Sequence, residues 1–272
     1  MTPSGHTWSD FQAKLRSLSF GTRVAIVAGA GALGLGIAAL APPEHQLQAY
    51  HDFAPSGPGN MGIVLSNLAF LVVGLWGLRL LYGGPLGRAL FATPGEAWPY
   101  ATFFAGAVLV TFGSGYYHLD PDDGTLVWDR LAMTVIFMGL FATFIADRIH
   151  GRAGVAVMLP ALLALGAVSI AYWDVTGDLR AYRVVQFLPM VLIPLICLLF
   201  PGRLTRFKYA AWMGFWYALA TIVELFDRTV YTVLSIGGHT IKHLLAAIAA
   251  AAVIAMLRDA ARRGGERGGT GR

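Results

Sequence analysis

"GSGYYHLDPDDGTLVWDR", Gly113 to Arg130, sets a serine, a histidine and four aspartates between two runs too apolar for anything but a membrane. Upstream, Pro99–Tyr117 is built mainly of Ala, Val, Phe, Gly and Tyr; downstream, Val127–Ala146 is rich in Leu, Met, Ile and Phe. A helix needs about 20 apolar residues to cross a bilayer core, so the two runs read as consecutive spans. The polar stretch is then the turn that joins them.

The same pattern recurs along the chain, at Thr22–Ala41, Met61–Tyr82, Val155–Trp173, Arg183–Phe200, Tyr209–Tyr231 and His239–Arg258. Eight spans are therefore expected, in an all-α polytopic membrane helix bundle. The 272 residues are 56% hydrophobic and 13% charged, with a mean hydropathy of +0.61, far from the balance of a soluble domain. Residues 1–21 read as a cytoplasmic segment, 22–41 as a first helix, 42–60 as a linker rich in turn formers, 61–258 as the main bundle and 259–272 as a disordered basic tail. No internal repeat or separate soluble domain is legible.

Positive residues in short loops stay on the cytoplasmic side. Lys14, Arg16, Arg23, Arg79, Arg88, Arg148, Arg152, Arg203, Arg206, Lys208 and the arginines of the tail fall on one face. Asp52, Asp120, Asp122, Asp123, Asp174 and Asp178 fall on the other, against which Arg180, Arg183 and Arg228 are exceptions. Both termini are thus expected inside. The net charge of +5 reports this asymmetry and calls for no nucleic acid. The first helix ends in "ALA" before Pro42, which obstructs cleavage, so it reads as an uncleaved anchor. The single cysteine, Cys197, reads as a small core residue and excludes an intrachain disulfide. Arginine far outnumbers lysine, which leans towards a bacterium and its inner membrane.

Ionisable groups at the edge of spans are costly and mark function by default. Ser114 and His118 are four residues apart on one helix face, and Asp129 follows across the turn. The last span opens with "HTIKH": His239 and His243 lie about 40° apart around the axis and one turn apart along it. That is the spacing at which one helix offers two nitrogens to a zinc ion. By the topology above, His118 reaches the same depth, so three histidines converge and a fourth position stays open for water. The zinc-protease pattern "HExxH" carries its own base, whereas Thr240 stands in that place here. Asp129 is the carboxylate at hand, as general base or as support for a ligand histidine. Ser114 suits hydrogen bonding to an oxyanion or to the metal's water.

With these residues, "SNLAFLVVG" from Ser66, "GSGYYH", "WDR" and "GGHTIKH" together resemble the motifs of the CREST superfamily of membrane hydrolases, and most those of its alkaline ceramidases. The resemblance spans about Asn60 to Arg258 and implies a seven-helix core, with Thr22–Ala41 as one extra helix. It implies zinc on His118, His239 and His243, with Ser114 and Asp129 completing the site. The implied reaction is hydrolysis of a lipid amide C–N bond, ceramide giving a sphingoid base and a fatty acid by attack of zinc-bound water. Ser66 and Asn67 would stand behind the ligands. Alkaline ceramidases also carry an acidic calcium-binding stretch; Asp52 is kept here, but Asn60 stands where a glutamate aligns, which leaves calcium open. A receptor-like member of the same superfamily and an ester-cleaving phospholipase remain alternatives. The expected partner is a ceramide-like membrane lipid, with no protein partner.

Glu224 and Asp227 in "VELFDR" read as helix-to-helix hydrogen bonding or an ion pair, with support of the metal site left open. Lys242 reads as a side chain snorkelling to the interface rather than a retinal attachment point. Tyr116, Tyr117, Trp128 and Trp173 fit an interfacial aromatic belt as well as a substrate wall. The glycine pairs show no phosphate-binding pattern and read as turns and close helix approaches.

Overall fold

The computed structural model describes residues 8–45 and 61–269. Asp52 and Asn60, where the calcium question falls, lie outside the described residues. Every named element among those residues is helical, and six helices are long and apolar enough to cross a membrane, or seven with one bent pair counted as a span. The chain is a polytopic all-α bundle.

A short α1 (Trp8–Arg16) leads into α2 (Phe20–Leu40), whose first turn is capped by the Ser19 side chain accepting from the Thr22 N–H. The expected span at Met61–Tyr82 is broken at Asn67 into α3 (Met61–Ser66) and α4 (Leu68–Tyr82). After α5 (Pro85–Leu90) come α6 (Trp98–Leu119) and α7 (Asp123–Arg148). The "DPDDG" turn between them is no loose loop: Asp122 caps α7 by accepting from the Thr125 N–H, and the Thr125 hydroxyl accepts from the Asp122 N–H.

Next, α8 (Gly151–Ala153) passes through a π-helical turn, Gly154–Met158, into α9 (Leu159–Thr176). Then α10 (Arg180–Leu199) carries Pro189 and Pro194 inside it. The expected straight span Tyr209–Tyr231 is instead α11 (Phe207–Leu225) and α12 (Asp227–Leu234), bent by 83° at Phe226. Finally α13 runs Gly238–Gly269, so residues 259–269 are helical where a disordered tail was expected.

Although α6 has the length of a span, it is not among the apolar six, and its place in the bundle explains why. Buried among other helices, it needs small residues more than lipid-soluble ones. A Cβ on Gly106 would sit 2.8 Å from the Ile136 nitrogen, and one on Gly113 only 2.5 Å from the Trp128 carbonyl oxygen, both on α7. From the other side, a Cβ on Gly139 would meet the Phe103 nitrogen at 2.8 Å. Backbone approach at this interface fixes the depth of Ser114 and His118 relative to Asp129.

The first long helix, α2, has no buried residue and lies against α10. At one end Arg16 and Arg23 donate to the carbonyls of Cys197, Leu198 and Leu199, which the end of α10 leaves without helical partners. At the other end Arg180 donates to the Ala41 carbonyl, Glu44 accepts from Arg183 at 2.7 Å, and the Leu179 N–H donates to the Glu44 carbonyl. Asp178 receives both Arg180 and the Glu44 N–H, and these bonds hold its carboxyl below the usual carboxylate range. A helix without a core of its own is stapled at both ends.

Candidate metal centre

The C-terminal end of α6, the N-terminal end of α7, the start of α13 and the break between α3 and α4 meet at one end of the bundle. There His118, His239 and His243 converge, each offering a ring nitrogen, and these three atoms lie within 4.8 Å of one another. The ring centroids are 4.8 Å apart for His118–His239, 4.8 Å for His239–His243 and 5.4 Å for His118–His243. His118 and His243 are buried and His239 half-buried. Three histidines from two helices can hold one metal ion.

A hydrogen bond behind the His243 ring decides which of its nitrogens faces the centre. Ser66 Oγ has one proton, and it goes to the Ile63 carbonyl at 2.6 Å. The 2.9 Å contact between Ser66 Oγ and His243 Nδ1 therefore has the imidazole as donor, which leaves Nε2 with its lone pair. Behind His239, Nδ1 lies 3.3 Å from Glu224 Oε1, which sets a carboxylate against that ring. A ligand histidine tied through its other nitrogen to a hydroxyl or carboxylate is the usual support of a metal site. Zinc bound at about 2.0–2.1 Å would bring tetrahedral donors to about 3.4 Å apart. Three imidazoles are a donor set that zinc and other divalent first-row metals accept, and their spacing fits one such ion.

The start of α13 is set by the bend between α11 and α12. Asp227 Oδ1 accepts from the His239 backbone N–H at 2.8 Å, capping the helix where the first of its ligands stands. A Cβ on Gly238 would lie 2.6 Å from the Val223 carbonyl oxygen, so glycine permits the close approach of α11 there. Glu224 and Asp227 both stand behind His239, one on its ring and the other on its backbone. Asn67 is fully buried at the α3–α4 break, where its Nδ2 donates to the Ile63 carbonyl and its own carbonyl accepts from Thr111.

Beside the histidines lies a cavity of about 170 Å³, lined mostly by apolar side chains such as Phe70, Phe137, Met133, Ile193 and Met213. Its polar lining comprises Ser114, Asp129, His239, His243, Lys242, Gln186, Tyr217 and Thr221. Ser114 and Asp129 are buried and face one another at the metal end. Gln186 donates to Tyr217 Oη at 2.8 Å, which leaves the phenol proton for another acceptor.

Lys242 does not snorkel. It turns inward, lines the cavity and donates to Glu224 Oε1, which spans Lys242 and His239. The sequence placed it at a helix entrance, but the bend at Phe226 sets a carboxylate across from it inside the bundle. The aromatic residues also separate: Trp128 and Tyr116 are exposed as a belt would be, whereas Trp173 is buried beneath the Arg130 guanidinium. Tyr117 packs on the His118 ring, and none of the four lines the cavity.

Comparison with models of known protein families finds no match, and no curated protein is detectably similar.

Proposed function

We propose that this chain is a zinc-dependent integral-membrane hydrolase that cleaves the amide bond of a ceramide-like lipid. One observation carries the reading: three histidines that can share a metal stand at the polar end of an otherwise apolar cavity, beside a buried serine and carboxylate. The shape suits a substrate with a long chain in the cavity and its carbonyl at the histidines. The motif resemblance to alkaline ceramidases supports the amide over an ester. The basic loops support a site facing the periplasm of a bacterial inner membrane, with both termini cytoplasmic.

His118, His239 and His243 would hold the ion, which supplies a Lewis acid that activates water and polarises a carbonyl. Asp129 accepts the proton of the attacking water as its oxygen bonds to the acyl carbon. Ser114 donates to the oxygen that gains charge. The C–N bond then breaks, and Asp129 returns its proton to the departing amine. The cavity wall keeps bulk water from the acyl chain.

The test is incubation of purified protein with a panel of ceramides and phospholipids, with and without chelator. Release of sphingoid base and fatty acid, lost on chelation and restored by zinc, is expected. Zinc bound one to one without cleavage of any lipid would overturn the hydrolase in favour of a receptor-like role, and cleavage of phospholipids alone would overturn the amide.

A further inference from the structure

Lys242 is the one cation that lines the cavity among the described residues. An ammonium held inside a bilayer span is expensive, and an ion pair alone is weak justification, since apolar replacements of buried pairs are often as stable. Its placement is specific. On α13 it stands three residues after His239 and one before His243, and it shares the cavity lining with both and with Asp129 and Ser114.

The ammonium has three protons, and the one hydrogen bond it makes among the described residues is to Glu224 Oε1. Two donors remain for a bound group.

Resting on the hydrolase reading, we infer that Lys242 is an oxyanion-binding residue. It donates a hydrogen bond to the acyl oxygen as the water oxygen attacks the carbon and the C=O pair moves onto that oxygen. It keeps its proton throughout; when the C=O bond re-forms, the amine leaves with the proton held by Asp129. Glu224 has a positioning role, touching both Lys242 and His239 and so fixing the ammonium beside the histidines.

Two readouts test this. In turnover, Lys242→Met should lower kcat about 100-fold, the usual loss for one oxyanion donor, with KM changed less than threefold and zinc content unchanged; Lys242→Arg should recover part of the rate. In binding, dodecylphosphonate presents a tetrahedral anion on a single chain. Wild type should bind it at least tenfold more tightly than Lys242→Met by calorimetry in detergent, and more tightly than it binds dodecanol. The Lys242→Met/Glu224→Gln double variant removes both charges of the ion pair and is compared at matched zinc content, because Glu224 also touches His239. A lysine that only balanced Glu224 would give phosphonate affinity back in this variant; continued loss of that affinity is expected.

Phosphonate binding equal in wild type and Lys242→Met, or absent from wild type, would overturn the inference whatever the turnover. If no lipid amide is cleaved yet phosphonate binding still depends on Lys242, the hydrolase reading falls and the anion site stands.

Discussion

The two ends of the bundle both bury ionisable groups, and they spend them differently. At the end away from the histidines, Arg148 donates to Thr205 Oγ1 at 2.7 Å and to the carbonyls of Cys197, Phe200 and Thr205. Asp147 accepts from the Leu204 and Thr205 N–H groups and from the Thr205 hydroxyl. This network is closed on backbone, and none of its members lines the cavity. At the histidine end, Lys242, Asp129 and the imidazoles of His239 and His243 face the cavity. A charge inside a membrane is thus no sign of chemistry by itself. Where its hydrogen bonds go distinguishes a brace from a site.

That contrast breaks in a definite order. His239→Ala removes a ligand, so metal occupancy measured by elemental analysis should fall from one per chain to near zero, with turnover lost; full occupancy would dismiss the three-histidine centre. Asp129→Asn should keep the metal and lower kcat by about 10²–10⁴-fold, the range for a general base; normal turnover would remove it from the reaction. Arg148→Ala should do the reverse, lowering stability by roughly 1–3 kcal/mol because the buried Cys197, Phe200 and Thr205 carbonyls lose their donor, while the folded fraction keeps its metal and its rate. Loss of rate with unchanged melting temperature would show that the closed network is not a brace.

The smallest effect concerns the staple between α2 and α10. The Asp178 carboxyl is held below its ordinary value by Arg180, so it contributes stability above the unfolded carboxylate pKa of about 3.9. That contribution should persist at neutral pH and disappear as acid takes the pH through the lower folded value. Asp178→Asn should lower the melting temperature slightly at pH 7 and leave no difference from wild type in strong acid. A gap that widens on acidification would reverse the assignment.

Much of the site was legible in the chain. The i, i+4 spacing of His239 and His243 is a property of any helix, and the polar turn at Gly113–Arg130 put His118 and Asp129 on the same side. Hydrophobic runs gave the helices, since period and length are local. Less legible were the breaks. Neither Asn67 nor Phe226 interrupts an apolar run strongly, yet the helix is interrupted at the first and another span bends by 83° at the second. Lys242 was misread for the same reason: a straight seventh span keeps Glu224 from reaching across to it. An acid in "VELFD" at the depth of a base in "IK" was the signal to pair them.

The sequence by itself determined an all-helical membrane protein and the residues able to bind a metal, because apolar length and helical periodicity act within one segment. Only the tertiary structure decided that the histidines share a centre, which nitrogen of His243 faces it, and that Lys242 turns into the cavity. Those outcomes depend on glycine contacts between α6 and α7, on hydrogen bonds that Ser66 and Asp227 accept, on the Glu224 carboxylate beside His239, and on a bend, which bring together residues far apart in the chain.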